Sequence, residues 1–353
     1  MVDIRIRLPD GTRYRERAKA PVQSKSGAVR WGEERARFLS LHGLEQPKKE
    51  EPTMRDFAPR WLDDYARANK LKPSTISAYE NIRLKLHILP ALGGLRLSEV
   101  DDAAVQRLKA KMTELDPKTV NDVLGVLSTM LKTAVEWKEI DALPCTIKRL
   151  KRDTNKAPRF YDFDDYERLV EGAEKSGKDV FASVLLGGEA GLRRGEMVAL
   201  EWPDVDFKRN QIIVARADWE GEIGTPKGGK TRRVPMTTRL AAALQAIRHL
   251  RGSRVLFQAD GSAVTADTLR SWMQRATKRA GMKESNDIHI LRHTFCSHLA
   301  MRGAPARAIQ ELAGHADLNT TMRYMHLSPA SVNNAIKLLE LRGNGGATEV
   351  VKK

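Results

Sequence analysis

Two cysteines, Cys145 and Cys296, are all that 353 residues contain. They have no partnered spacing, so neither a disulfide framework nor a zinc ribbon is supported, and each reads as a small buried apolar residue. No apolar run is long enough to cross a bilayer, and Met1-Val2-Asp3-Ile4-Arg5 lacks the basic-then-apolar layout of a signal peptide. These absences point to a soluble, cytoplasmic chain with no membrane partner. No cluster of carboxylates offers a magnesium site, and the Gly-rich turn at Gly228-Gly229 lacks the context of a nucleotide-binding P-loop. Internal repeats and low-complexity tracts are missing as well.

What the chain has instead is charge of one sign. Lys and Arg number 61 against 45 Asp and Glu, a formal net charge of +16. A surplus of that size favours a polyanionic partner, with nucleic acid ahead of an anionic membrane surface, because no strongly basic amphipathic helix with a broad aromatic face stands out. With 41% hydrophobic residues over this length, two or three packed domains can form. Charge alone does not say whether the partner is bound or chemically altered.

Residues 1–45 read as a small αβ module. Val2, Ile4, Ile6 and Leu8 alternate with Asp3, Arg5 and Arg7, and after Pro9-Asp10-Gly11 the arginines Arg13, Arg15 and Arg17 flank Tyr14 with the same period. A two-residue Asp-Gly turn would set Arg13 and Arg15 across from Leu8 and Ile6. A three-residue turn with Gly11 left-handed sets them across from Arg7 and Arg5. The second register is preferred because it keeps one face apolar, with Ile6 opposite Tyr14, although it stacks like charges. Either DNA phosphates relieve that repulsion, making Arg5, Arg7, Arg13, Arg15 and Arg17 DNA contacts, or the face is merely solvated. A helix over 26–41 is expected to turn Ala28, Trp31, Arg35, Phe38 and Leu39 to one side.

A charged linker follows at Pro47 to Pro52. Residues 53–146 read as all helix, with Phe57, Trp61, Leu62 and Tyr65 in one apolar stripe. Ser74-Thr75 is expected to cap a helix that Pro90 and Gly93-Gly94 end, and a further helix over 119–137 turns Val120, Val123, Leu127, Met130, Leu131 and Ala134 inward. Its polar face, with Lys118 and Lys132, suits either DNA or solvent. Residues 146–160 form a basic linker in which Lys148, Arg149, Lys151 and Arg152 either track a DNA backbone or are simply solvated. Residues 159–342 are mostly helical, interrupted by one β segment at Gln211 to Ala215 and Arg232 to Met236 around the Gly-rich turn. Residues 343–353 are a flexible tail.

Four polar segments stand out in the last part. They are Gly191-Leu192-Arg193-Arg194-Gly195-Glu196; Thr225-Pro226-Lys227-Gly228-Gly229-Lys230-Thr231-Arg232-Arg233; His289-Ile290-Leu291-Arg292-His293; and Leu312-Ala313-Gly314-His315, with Tyr324 nine residues on. Each alone has a plain reading. Arg193 and Glu196 could be a helix ion pair. Lys227 could be a solvated hairpin tip. His289 and His293 at i, i+4 invite a zinc reading, but Ile290 stands where a metalloprotease needs Glu, and no third ligand is obvious.

Together, in this order, the segments resemble the tyrosine recombinase family of the phage-integrase type, from about residue 55 to 340. The resemblance implies a mainly α fold with small β elements: a hairpin-plus-helix arm-type DNA-binding module over 1–45, a helical core-binding (SAM-like) domain over 53–146 and an α-rich catalytic domain with a small β-sheet over 159–342. It implies a site-specific recombinase that cleaves and rejoins DNA through a 3′-phosphotyrosine at Tyr324, integrating or excising a phage or mobile element. A phosphorane carries extra negative charge on its non-bridging oxygens, which Arg193 and Arg292 can clamp in a planar, bidentate way. His289 would draw off the tyrosine proton, Lys227 would protonate the leaving 5′-oxygen, His315 would hydrogen-bond the phosphate, and Glu196 would orient Arg193. The phosphotyrosine stores the energy of the broken bond, so no cofactor and no metal are expected.

The implied partners are double-stranded DNA at core-type and arm-type sites, a homotetramer on that DNA and a DNA-bending accessory factor. The implied setting is the cytoplasm, associated with the nucleoid, for a protein that is bacterial or phage-encoded. A final helix over 333–339 docks either on its own domain or on a neighbour. The competing readings are a non-catalytic DNA-binding protein and an enzyme like a type IB topoisomerase.

Overall fold

The N-terminal alternation closes into a hairpin with the three-residue turn. In the computed structural model, which describes residues 1–44, 50–151, 158–249 and 252–327, β1 (Val2–Arg7) pairs antiparallel with β2 (Arg13–Ala18). Arg5 lies opposite Arg15, Ile6 opposite Tyr14 and Arg7 opposite Arg13. Gly11 takes a φ of 85°, a left-handed turn position that suits a residue without Cβ. The like-charge ladder is relieved within the hairpin itself. Asp3 accepts from Arg15 Nε and Nη2 at 2.8 and 2.7 Å and from Arg5 at 3.0 Å. Those bonds, Arg15's first, hold its carboxyl far below the usual carboxylate range. All five arginines face solvent. Helix α1 (Lys25–His42), capped by Ser24, covers the apolar face of the hairpin. Its buried stripe runs through Gly32 and Leu39, while Phe38, expected on the same side as Leu39, is exposed. The stripe rotates because Gly32 meets Val2: a Cβ there would lie 2.5 Å from Val2 Cγ1.

The chain divides into two compact units, Met1–Arg152 and Asp153–Lys353. In the first, α2 (Met54–Trp61) continues as a π-helical stretch through Arg67, and α3 (Pro73–Ser77) continues as one through Ile88 into α4 (Leu89–Leu92). Two sequence expectations fail here. Ser74 and Thr75 are not caps, because Pro73 occupies the first helical position and leaves them inside the first turn. Pro90 does not end the helix, which runs on through Leu92 to its C-cap Gly93, so of the expected stop only the Gly93-Gly94 part holds. Helices α5 (Asp102–Ala110) and α6 (Pro117–Glu136) complete the bundle. All six inward-facing residues expected on α6 are buried. At the centre Trp61 is fully buried, donates to Thr133 Oγ1 at 3.2 Å and stacks with Tyr65 and Tyr79.

The basic segment after this bundle is fastened to it as far as the description reaches. Asn121 on α6 donates to the Leu150 carbonyl at 2.9 Å and accepts from the Leu150 amide at 2.8 Å. Lys109 on α5 donates to the Lys148 carbonyl at 2.6 Å. Lys148, Arg149 and Lys151 therefore stand exposed on an anchored strap rather than a free linker. Arg152 lies outside the described residues, as do the expected final helix over 333–339 and the tail 343–353.

The second unit is built around α8 (Lys178–Gly188), whose Ala182, Val184, Leu185 and Leu186 are all buried. Helices α7 (Phe163–Glu174), α10 (Thr238–Ala246), α11 (Ala266–Arg279) and α12 (His289–Met301) pack against it. Helix α9 (Arg194–Ala199) precedes an antiparallel sheet of β3 (Val205–Asp206), β4 (Gln211–Val214) and β7 (Arg232–Pro235) in the order β3-β4-β7. The expected β4–β7 pairing is present. The excursion between them holds a second hairpin, β5 (Ala217–Trp219) with β6 (Glu222–Gly224), which sequence reading missed because its strands are three residues long. Helices α13 (Ala306–Ala313) and α14 (Leu318–Met325) follow. No helix among the described residues is long and apolar enough to cross a membrane.

Asn121→Ala should release the strap. In hydrogen-exchange measurements the Leu150 amide, protected in the wild type, should exchange freely in the variant, with a stability loss of about 1 kcal/mol in urea. Undiminished protection would show that the strap is held by something else.

Candidate active site

Glu196 organises the site. It is 1% exposed. Its carboxylate accepts from the Arg193 amide at 2.8 Å, from Arg193 Nη1 at 2.8 Å, and from Arg232 Nη1 and Nη2 at 2.9 and 2.7 Å. Burial opposes its charge, but the hydrogen bonds and charge of Arg232, joined by Arg193, outweigh that and hold its pKa at about 2. Glu196 thus hydrogen-bonds Arg193, the residue it was expected to orient, while the second arginine was missed. Strand alternation carried a signal for it: Val234 is buried on β7, so Arg232, two residues earlier, points the same way and Arg233 outward.

Both arginines also reach the turn after α13. Arg232 Nε donates to the Leu312 carbonyl and Arg193 Nη2 to the Gly314 carbonyl, each at 2.9 Å. Gly314 is left-handed, with φ 65° and ψ 48°, and a Cβ on it would stand 2.9 Å from Arg232 Cδ. Only glycine meets both demands. This turn delivers His315, whose Nδ1 hydrogen-bonds the buried Thr321 hydroxyl at 2.9 Å. Burial, then the charges of Arg292 and Arg193, pull the His315 pKa down to about 3. Arg193, Lys227 and His315 line one cavity of about 430 Å³. Lys227 is exposed on the segment between β6 and β7. The residues from Gly224 to Thr231 match the letters of a P-loop, but strand β7 follows where a P-loop needs a helix N-terminus.

Arg292, on α12, is 2% exposed. Its Nη1 donates to the Gly191 carbonyl at 2.6 Å, while its buried Nη2 has no partner. No carboxylate pairs with it among the described residues. Burial and the nearby Arg193 charge lower its pKa to about 10. The two buried arginines therefore differ: Arg232 is neutralised by Glu196, and Arg292 is left wanting an anion.

Tyr324, on α14, is 3% exposed, with its ring parallel to that of His315 at 6.2 Å. Burial, then the neighbouring Cys296 thiol, raises its pKa well above that of free tyrosine. Its hydroxyl lies 2.6 Å from Nδ1 of His293, not against His289. His289 sits exposed at the start of α12, its ring 4.6 Å from that of His293 and edge-on to it. Desolvation and Arg292 lower its pKa. Of the histidine pair that invited a zinc reading, His293 is thus engaged with the tyrosine and His289 with His293. Among the expected residues, Arg193, Lys227, Arg292, His315 and Tyr324 converge on one region of the second unit. His289 adjoins it through His293.

A model of the phage integrase family matches residues 159–331, and one of the phage integrase N-terminal SAM-like domain matches residues 53–113. The tyrosine recombinase XerC of Xanthomonas axonopodis pv. citri is 32% identical over 219 residues, covering 60% of this chain and 68% of that protein. A tyrosine recombinase XerC-like protein of Caldanaerobacter subterraneus subsp. tengcongensis is 25% identical over 327 residues, covering 81% and 82%. Among solved structures, the Tn1549 transposon integrase bound to circular-intermediate DNA superposes with a TM-score of 0.69 at 20% identity, over 80% of this chain and 99% of that one. A lambda integrase dimer on a core site superposes at 0.63 and 15% identity, over 91% of each chain. At those identities the structural likeness is one of fold.

The contrast between the two buried arginines is testable. Glu196→Gln should cost about 3 kcal/mol in urea unfolding at pH 7, because it strips Arg232 of its counter-charge. In the wild type, the carboxyl's folded pKa of about 2 lies below the ordinary 4.5, so its contribution is complete above pH 4.5 and disappears as the pH falls through about 2. Arg292→Met should leave the melting temperature unchanged or raised, since it replaces an unpaired buried charge with apolar volume. A marked loss of stability in Arg292→Met would mean that Arg292 is a structural residue.

Proposed function

The chain belongs to the phage integrase family of tyrosine recombinases, enzymes that break and rejoin DNA strands in site-specific recombination, and from that premise we propose that Tyr324 is the nucleophile that opens the phosphodiester. The observation that carries this reading is Arg292, a buried guanidinium with an unpartnered Nη2 and no carboxylate paired with it among the described residues. A phosphate supplies the anion it lacks. As the phosphorane forms, the oxygens gain charge beside Arg292 and Arg193, and these preorganised donors stabilise the transition state more than the ground state. His315 adds a donor from the turn at Gly314, with Thr321 holding its ring. Lys227, on the same cavity wall as Arg193 and His315, protonates the leaving 5′-oxygen. The 3′-phosphotyrosine then keeps the bond energy for attack by a new 5′-hydroxyl.

The hairpin and the strap supply the wider grip. We assign residues 1–45 to arm-type sites, 53–146 to core-type binding and 159–342 to catalysis. The protein would act as a tetramer with a DNA-bending accessory factor, integrating or excising a phage or mobile element. Arg7 and Arg13, which face each other across the hairpin beyond the reach of Asp3's bonds, are the arginines most in want of phosphate.

Mixing the protein with a nicked duplex of its own recombination site should give a denaturation-resistant protein–DNA adduct. Tyr324→Phe should bind equally well and give none. Arg292→Lys should slow cleavage roughly a hundred- to a thousand-fold. Adduct formation by Tyr324→Phe would identify another nucleophile. Replacing both Arg7 and Arg13 with alanine should lower the slope of log affinity against log salt on arm-type DNA by about two, and leave core-site cleavage intact. An unchanged slope would assign the hairpin to solvent.

A further inference from the structure

The tyrosine hydroxyl is already in a hydrogen bond, and its partner is not the histidine expected to activate it. His293 Nδ1 lies 2.6 Å from Tyr324 Oη. His289, one helical turn earlier, meets only the edge of the His293 ring, and its own backbone amide is tied to Asp287 at 3.0 Å. Helix α12 therefore presents three groups at consecutive turns or faces: His289 outward, Arg292 buried beneath, and His293 against the nucleophile.

We propose that His293 is a further catalytic residue, the group that directly receives the phenolic proton as Tyr324 attacks. The inference rests on Tyr324 being the nucleophile. As the bond from Oη to phosphorus forms, the bond from phosphorus to the 5′-oxygen breaks. The proton on Oη passes to Nδ1 of His293, and the leaving oxygen takes one from the Lys227 ammonium. One proton moves within the protein, from Tyr324 to His293, and one passes from Lys227 to the 5′-oxygen that leaves, so the step balances, and rejoining runs it backwards.

The surroundings suit that task. Nδ1 accepts only in the neutral tautomer with its proton on Nε2. Burial, then His289, with Arg323 of α14 and Arg292 also facing the ring and only Asp287 opposing, hold the His293 pKa at about 4, so the ring is neutral at pH 7. A phenol whose pKa burial has raised keeps its proton against so weak a base. Transfer waits until phosphate arrives at the arginines and charge develops, which keeps the nucleophile quiet in DNA-free protein.

The test is single-turnover cleavage of a nicked duplex carrying the protein's own site, with DNA binding measured alongside. His293→Ala and His293→Gln should bind DNA as the wild type does and cleave on the order of a hundred-fold more slowly, and added imidazole should restore His293→Ala by about tenfold or more. Glutamine fills the space and offers a hydrogen-bonding oxygen but cannot take up the proton, so it is read by itself if the alanine variant does not fold. Cleavage within about threefold of wild type by either variant would overturn the assignment. So would a slow alanine variant that binds DNA but does not respond to imidazole, since that is the mark of a packing role. If the wild-type protein forms no adduct at all, the reading of Tyr324 itself falls, an outcome distinct from either of these.

Discussion

Four N–H groups converge on the two oxygens of Glu196, from the Arg193 amide, Arg193 Nη1 and both terminal nitrogens of Arg232. That convergence ties α9 to β7, and the same two arginines tie both to the carbonyls at the end of α13. A buried carboxylate alone would be costly. Paired with a bidentate guanidinium and a second arginine, it becomes a rigid junction. His315 depends on that junction for its position, because the left-handed Gly314 that turns the chain toward it packs on Arg232.

Around the junction the charges are deliberately unequal. Arg232 is satisfied, Arg193 is partly satisfied, and Arg292 is buried with one nitrogen free. The surplus positive potential has two effects that follow from the same Coulomb term. It adds to burial, the larger cause, in disfavouring protonation of His315 and His293. It also favours anions, offsetting some of the burial that otherwise raises the phenol of Tyr324. That balance suits the proposed reading, in which phosphate supplies the anion that Arg292 Nη2 lacks.

In the first unit, basic residues are arranged by local neutralisation and anchoring. Asp3 gathers Arg15 and Arg5, leaving Arg7 and Arg13 opposed at the tip of the hairpin. Asn121 fixes the Leu150 backbone, so Lys148, Arg149 and Lys151 project from an ordered strap. Ordered cations lose less conformational entropy on meeting a phosphate backbone than cations on a free linker.

Local pattern by itself determined much of this. Period-two alternation with Gly11 placed the hairpin register, helical spacing placed the buried face of α6, and the order of four polar segments named Arg193, Lys227, His289, Arg292, His315 and Tyr324. These features are readable because they are set by neighbours a few residues apart or by chemistry that demands particular side chains. The expected cap at Ser74-Thr75 and the placing of Phe38 beside Leu39 failed where a single proline or glycine changed the local geometry, and the stop fell at Gly93 rather than Pro90. Only the tertiary structure decided that Arg232 shares Glu196 across 36 positions of sequence, that Arg292 is buried with no carboxylate paired to it among the described residues, and that His293 rather than His289 meets the Tyr324 hydroxyl across 31. Hydrogen bonding and desolvation between distant segments depend on how helices pack, and a linear pattern does not encode which of two histidines one turn apart will face a tyrosine on another helix.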